Sequence, residues 1–339
     1  MGRMSADRLI QTTRLHAPGV TGRAVVNVLA GAPIADAADR AGMEPANLAD
    51  AVEVFQQAGH EALAQQAGST DWWQAYVEFP DWASSEQTAV THLAPLLRSA
   101  EENGTVTAWW FTRKHPCWRL RLRVLPEIGV KTGLGAALDR LVASGHLRRW
   151  WPGIYEPETA AFGGPASMTA AHNLFVADSR AVLNLASRND IAIGRRELSV
   201  LLCTIMMRAA GLEWYEQGDV WQRVICEEQR YKLSDIPEER LHAMATQLRT
   251  LLVANTDPDG PVLSSGGPLE PVTGWADAFR YTGLALAEGV QQDTLDGGLR
   301  RVLSLHVIFQ WNRLGLSLRS QSALAWAART AILDPPVWS

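Results

Sequence analysis

The stretch TVTAWWFTRKHPCWRLRLRV, residues 105–124, carries five basic side chains and no acidic one. Its β-branched and aromatic residues fall in period-two runs, which predicts strands rather than a helix. In its second half Trp118, Leu120, Leu122 and Val124 share one side and Arg119, Arg121 and Arg123 the other, because successive side chains of a strand alternate. Three parallel arginines repel one another unless an anion or several carbonyl groups lie across them. A ligand groove meets that requirement, and so does a solvated face with acids supplied from elsewhere. Arg148, Arg149, Trp150 and Trp151 repeat the same chemistry shortly afterwards, which favours a groove.

Upstream, TDWWQAYVEF reads as a further strand, with a helix between the two over 86–100 and another over 133–145, where Gly145 stands as the C-terminal cap. The strands are aromatic and half-polar rather than continuously apolar, so the expected class is α+β, with a mostly antiparallel sheet and packed helices. The C-terminal half is helix-rich, with candidates over 168–186, 195–211, 237–253, 275–289, 297–314 and 319–332. Residues 255–274 hold four glycines and four prolines, which excludes helix and central strand; a loop of that length suggests a lid, a ligand-binding loop or disorder. Residues 22–66 read as three short helices with Val25, Val28 and Leu29 on one face, then Leu48, Val52 and Phe55. Two arginines against six acids give this segment a charge of -4, the wrong sign for a helix-turn-helix that meets DNA. The expected division is a small helical module over 1–67 and a catalytic domain over 68–339.

The chain of 339 residues is 47% apolar and 20% charged, which excludes a disordered protein. Its formal charge of -5 argues against a nucleic-acid partner. Cys117, Cys203 and Cys226 form no CxxC pair, so neither a disulfide framework nor a zinc knuckle is indicated, and a cytoplasmic location fits. No apolar run reaches the roughly 18 to 20 residues of a membrane span, and the opening MGRMSADRLIQTT has no apolar signal core, so no membrane partner is expected. Fourteen tryptophans stand beside only three lysines, Lys114, Lys131 and Lys232. A high-GC coding bias explains arginine in place of lysine; it does not explain the tryptophans, whose flat faces suit an extended aromatic or peptidic ligand.

Phosphate cradles, zincins and serine hydrolases lack local support, since GxxxxGK[ST], HExxH and GxSxG are all missing. No cofactor or metal is indicated. Possible proton carriers gather between 151 and 183: Tyr155, Glu156 and Glu158, then His172 and Ser179 at i and i+7 on the next helix. A lone histidine on an apolar helix is more often a hydrogen-bonded core residue, and the two glutamates read equally as solvated loop acids. In SLHVIFQWNRLGLSLR, residues 304–319, His306, Gln310 and Arg313 form a polar stripe at i, i+4 and i+7. Such a stripe is satisfied either by neighbouring elements or by a ligand.

Three stretches taken in order, WWFTRKHPCWRLRLRV, YEPETAAFGG with AAHNLFVADSR, and HVIFQWNRLGL, resemble the thiopeptide-type bacteriocin biosynthesis family over roughly residues 70–335. That family includes the glutamate-elimination domain of lanthipeptide dehydratases and the related thiopeptide pyridine synthases. Arg121 and Arg123 match the strand arginines of elimination domains. Where those domains carry an Arg-Tyr-Gly-Gly stretch, this chain reads Ala161-Phe162-Gly163-Gly164, and near their C-terminal catalytic histidine it presents Ile308 and Gln310, with His306 one turn earlier. The resemblance therefore implies a pyridine synthase: a formal 4+2 aza-cycloaddition of two dehydroalanines in a leader-bearing, azole-containing precursor peptide, with loss of water and of the leader. It implies catalytic roles for Tyr155, His172, Glu156 and Gln310. Substrate contacts fall to Arg119, Arg121, Arg123, Trp109, Trp118, Trp151, Ser179, His306 and Arg313. A glutamate-elimination subunit, a non-catalytic leader-peptide-binding protein and a regulator using the N-terminal helices are the alternatives, and the sequence is compatible with a monomer or a dimer.

Overall fold

Alternation along the strands sorts the side chains of the larger of two units, Met1–Gly68 and Ser69–Ser339. The computed structural model describes residues 18–70, 72–124, 130–188, 190–226 and 233–334; the opening segment and Lys232 lie outside them. In the first unit helices α1 (Pro18–Leu29), α2 (Ile34–Ala41) and α3 (Pro45–Thr70) bury Ala24, Val25, Ala37, Ala38, Leu48 and Val52. Gly42 closes α2 in a left-handed conformation, φ 66°. Leu29 and Phe55, expected on the packed face, are 43% and 49% exposed.

The second unit is built on a single sheet. Strands β1 (Trp72–Glu78), β2 (Val106–Lys114), β3 (Cys117–Val124) and β4 (Arg149–Gly153) pair antiparallel in the order β2-β3-β1-β4. One face sets Trp73, Ala75, Val77, Trp109, Phe111, Trp118, Leu120 and Leu122 into the main core. Against these pack Leu93, from the π-helical turn Ala89–Leu93 that follows α4 (Ser85–Thr88), Leu97 of α5 (Ala94–Glu102), and Leu134 and Leu138 of α6 (Val130–Ala143). The register puts Trp72, Gln74, Tyr76 and Glu78 of β1 on the opposite face, with Arg119, Arg121 and Arg123 of β3, Trp110 and Thr112 of β2, and Arg149 and Trp151 of β4. Gly153 closes this face at the β4 edge. A Cβ there would lie 2.4 Å from the Tyr76 ring, so only glycine lets that ring lie over the strand.

The helix-rich half comprises α7 (Pro165–Leu185), α8 (Arg195–Ala209), α9 (Trp214–Cys226), α10 (Glu238–Leu252), α11 (Thr273–Gln291), α12 (Leu299–Leu314) and α13 (Leu318–Leu333). α8 packs on α11, and α13 on α9 and α10. At Gly283 the α8–α11 crossing is so close that a Cβ would meet the Met206 carbonyl oxygen at 2.3 Å. Helix α9 has no counterpart in the sequence reading, although it buries Gly218, Val220, Trp221 and Val224. The segment 255–272 is ordered and packed against the helices. Thr256, Leu263 and Leu269 are buried, Thr273 donates to the Leu263 carbonyl, and Arg208 and Arg280 cap carbonyls at its start.

Two polar contacts tie the layers. β2 is an edge strand, and its Phe111 N–H donates to Ser179 Oγ of α7 at 3.1 Å, which satisfies a backbone group that would otherwise be buried unpaired. Deeper in, Arg313 of α12 donates from Nε to Asp178 of α7 at 2.7 Å, while Trp275 Nε1 of α11 donates to the other carboxylate oxygen at 2.8 Å. Both charged residues are at most 1% exposed. Removing one member strands the other in a dry interior, so Arg313→Met is expected to cost about 3–5 kcal/mol in urea denaturation, whereas Asp178→Asn/Arg313→Met recovers much of the loss because the asparagine still accepts from Trp275.

Candidate active site

Tyr155 follows β4, and His172 lies on the second turn of α7. The fold brings them together, Tyr155 Oη to His172 Nε2, at 2.7 Å. Around them Trp72, Trp110, Phe162, Met168 and Phe175 form a second apolar cluster, separate from the main core, with Leu305 and Phe309 of α12 packed against it. Trp72 lies 5.1 Å from the His172 ring, and Trp110 meets Tyr155 edge-on at 5.5 Å.

Arg121 enters this box from the sheet. Its guanidinium sits 4.1 Å from the Trp110 ring centre and 4.7 Å from that of Tyr155, and donates to Thr112 Oγ1 at 2.7 Å. The residue is 4% exposed, its Nε has no hydrogen-bond partner, and among the described residues no carboxylate pairs with it. Burial draws its pKa down to about 10, against the pull of Tyr155 and the more distant Glu158, so it stays a cation at neutral pH. Burial also pushes the Tyr155 phenol above its ordinary range, opposed by Arg121. The His172 imidazole is drawn down to about 4, by burial first and then by Arg123 and Arg121. At neutral pH the pair is therefore uncharged, and a single proton is shared between Tyr155 Oη and His172 Nε2.

The neighbouring arginines are held in the same manner. Arg123 lies 5.9 Å from Trp72 and Arg119 5.8 Å from Tyr76; Tyr76 in turn stacks on Trp151, centroids 5.2 Å apart and 12° from parallel, with Arg149 4.9 Å from the outer indole. Aromatic faces lie between the guanidinium groups, and Arg149 also pairs with Glu78 at 2.6 Å.

Of the residues singled out from sequence, Tyr155, His172, Arg119, Arg121, Arg123 and Trp151 lie on or against one sheet face. Six others do not. Trp109 and Trp118 point to the opposite face and are core residues, as alternation requires. Ser179 is fully buried and caps the β2 edge, Arg313 is bound to Asp178, and Gln310 accepts from the Cys203 thiol at 3.1 Å. His306 is 1% exposed between Phe162 and Phe175. The stripe on α12 is thus satisfied, so far as it is satisfied, by neighbouring helices. Glu156 is exposed on its loop and makes no hydrogen bond among the described residues. Sequence reasoning missed Trp72, Gln74, Tyr76 and Trp110; all four continue the period-two pattern, but only the register assigns them to the arginine face. No group of three or more His, Cys, Asp or Glu that could hold a metal occurs among the described residues. Nor is any described helix long and apolar enough to cross a membrane. The 270 Å³ cavity lined by Ala177, Arg180, Asn184, Arg188 and Trp275 shares no residue with the site, and its two arginines already pair with Glu101 and Asp190.

An antiparallel sheet presenting arginines to a helix-backed aromatic box defines the class, and residues 72–332 match the model of the lantibiotic biosynthesis dehydratase C-terminal family. The chain belongs to that family. Its fold is shared with MibB, a tRNA dependent lantibiotic dehydratase from Microbispora sp. 107891, at 19% identity and TM-score 0.57 over 78% of this chain; the match spans only 28% of MibB. It is shared with TbtD, the pyridine synthase from thiomuracin biosynthesis, at 12% identity and TM-score 0.53 over 78% of this chain and 98% of that one. TsrL aligns at 18% identity and TM-score 0.50 over 77% and 94%. Comparison with curated proteins gave no match.

The histidines set a pH response. Burial draws His306 down to about 3, with Arg313 adding to the effect, and both of its ring nitrogens lack partners. Against an ordinary value of 6.5, the unfolded chain binds more protons than the folded one between pH 6.5 and about 4 for His172, and about 3 for His306. Stability therefore falls as pH falls through that window. His306→Leu is expected to flatten the acid limb of a plot of denaturation midpoint against pH and, having no orphaned nitrogens, to equal or exceed the wild type at pH 7.

Proposed function

We propose that this chain is a pyridine synthase acting on a leader-bearing, modified precursor peptide that contains azoles and two dehydroalanines. The uncharged Tyr155–His172 pair beside a single buried arginine carries this reading. To act as an azadiene, one dehydroalanine needs its preceding amide as the imidic-acid tautomer, which moves a proton from nitrogen to oxygen without change of net charge. The Tyr155–His172 pair, both members uncharged, gives one proton to the amide oxygen and takes one from its nitrogen, so the exchange leaves no net charge in the box. Arg121 supplies donors to a substrate carbonyl. The second dehydroalanine adds across the azadiene, and loss of water and then of the leader as its amide leaves the aromatic pyridine. Holding the two alkenes together supplies on the order of 7–11 kcal/mol of the barrier, so little covalent assistance is required.

Departing glutamate is a different cargo. It carries charge, and Ala161 places a methyl group where the resemblance expects a second arginine, beside a Phe162 that packs on Phe175 and Phe309. The buried Arg121 lies in an aromatic enclosure, which suits neutral amides better than a leaving group with two carboxylates.

Mass spectrometry of an azole peptide bearing its leader and two dehydroalanines, incubated with the protein alone, is expected to show leader amide and a dehydrated, ultraviolet-absorbing macrocycle. Tyr155→Phe and His172→Ala should each lower the single-turnover rate by about 10²–10⁴-fold. Turnover of a glutamylated peptide with none of the dehydrated one would replace this reading with glutamate elimination, and binding without mass change would leave a peptide-binding protein.

A further inference from the structure

The chain that carries Tyr155 into the aromatic box leaves the sheet just before it. Pairing of β4 ends at Gly153, and among the described residues no backbone–backbone hydrogen bond involves 154–157; the next is from the Phe162 N–H to the Glu158 carbonyl. The Ile154 side chain is no anchor, being 85% exposed. What holds this stretch comes from β1. Gln74 stands opposite Arg121 of β3 on one side and opposite Gly153 on the other, is 3% exposed, and donates from Nε2 to the Ile154 carbonyl oxygen at 3.1 Å. A Cβ on Gly153 would lie 2.9 Å from that Nε2, so the amide reaches the carbonyl past a residue without a side chain.

The Ile154 carbonyl and the Tyr155 nitrogen belong to one planar peptide unit, so fixing that oxygen fixes the plane from which the Tyr155 side chain departs. A tilt of the plane is magnified at the phenol oxygen, at the far end of the side chain. The ring contacts with Trp72, Trp110 and Arg121 restrain the plane of the phenol, whereas its 2.7 Å hydrogen bond to His172 Nε2 also requires the oxygen to stand at one place in that plane. We propose that Gln74 is a positioning residue: by holding the Ile154 carbonyl it keeps the Tyr155 phenol within hydrogen-bond reach of His172, and it does not itself meet the reacting atoms. The consequence for turnover rests on the pyridine synthase reading; the positioning does not.

Gln74→Met keeps the length of the side chain and removes its donors. Imidazole nitrogen NMR reads the pair directly: Tyr155→Phe marks the His172 Nε2 signal without its partner, and Gln74→Met is expected to move the wild-type signal toward that mark. Single turnover of the azole peptide should slow about 10- to 100-fold, with the half-saturating peptide concentration changed by less than about twofold. Gly153→Ala, whose methyl group presses on Nε2 from the neighbouring strand, should move the His172 signal the same way, so that a folding defect peculiar to the methionine variant does not decide the matter. Tyr281→Ser, an exposed change on α11, should leave both signal and rate as in wild type. A wild-type His172 signal in folded Gln74→Met overturns the proposal, as does a raised half-saturating concentration with the signal unmoved, which would make Gln74 a substrate contact. A signal that moves in both variants, in a protein whose wild type does not turn over a peptide carrying two dehydroalanines, supports the positioning role and removes the reaction assigned above.

Discussion

A guanidinium buried without a carboxylate partner is the constraint on which the rest of this structure turns. Arg121 cannot leave the sheet face, because alternation fixes it opposite Leu120 and Leu122, and both of those belong to the core. It cannot be neutralised by an acid without closing the site. The solution is aromatic: Trp110 and Tyr155 supply negative ring faces, and Thr112 an oxygen. Because such faces offset only part of the lost hydration, the cation retains an unmet demand for an acceptor, visible in its unpartnered Nε and its lowered pKa.

That requirement propagates outward. Trp110 must be held against Arg121, and it packs on Phe175 at 4.8 Å, which stacks in turn on Phe309 and receives the Arg313 guanidinium at 4.7 Å. Arg313 is fixed by Asp178, and Asp178 by Trp275. The buried ion pair between α7 and α12 therefore positions the aromatic box rather than meeting substrate. On the far side of the sheet Glu86 joins Arg113 of β2 to Arg195 of α8, and Arg195 reaches the Leu314 carbonyl at the end of α12. The opposite face of the sheet is thus tied to α8 and α12 by a separate ion-pair network.

How much of this could be read from the sequence depends on the range of the interaction. The α+β class, the antiparallel sheet and the two faces of residues 117–124 follow from a period of two, which is local. Helices α7, α8 and α10 to α13 follow from their apolar spacing, which is local as well. Register is not. Trp110 and Trp109 are adjacent and chemically identical, and only the pairing of β2 with β3 sends one to Arg121 and the other into the core. The same limit governs α12, where a polar stripe at i, i+4 and i+7 is equally consistent with a ligand or with Asp178 and Cys203 arriving from two other helices. The resemblance to the bacteriocin family marked Tyr155 and His172, 17 residues apart, but their hydrogen bond depends on where the loop after β4 lets α7 begin.

Within one family fold, the balance between cation count and neutral acid–base groups decides which reaction a site favours. A leaving group with two carboxylates needs converging positive charge, and each added guanidinium would drive the imidazole further from protonation and the phenol toward ionisation. A charge-neutral proton exchange of the kind proposed needs two titratable groups whose pKa values are pushed apart so that both remain uncharged. Burial does this here. It raises Tyr155 and lowers His172, while the methyl group of Ala161 withholds a further cation. The aromatic enclosure that makes Arg121 tolerable is thus the same feature that keeps its two neighbours neutral, so the two properties cannot be varied independently.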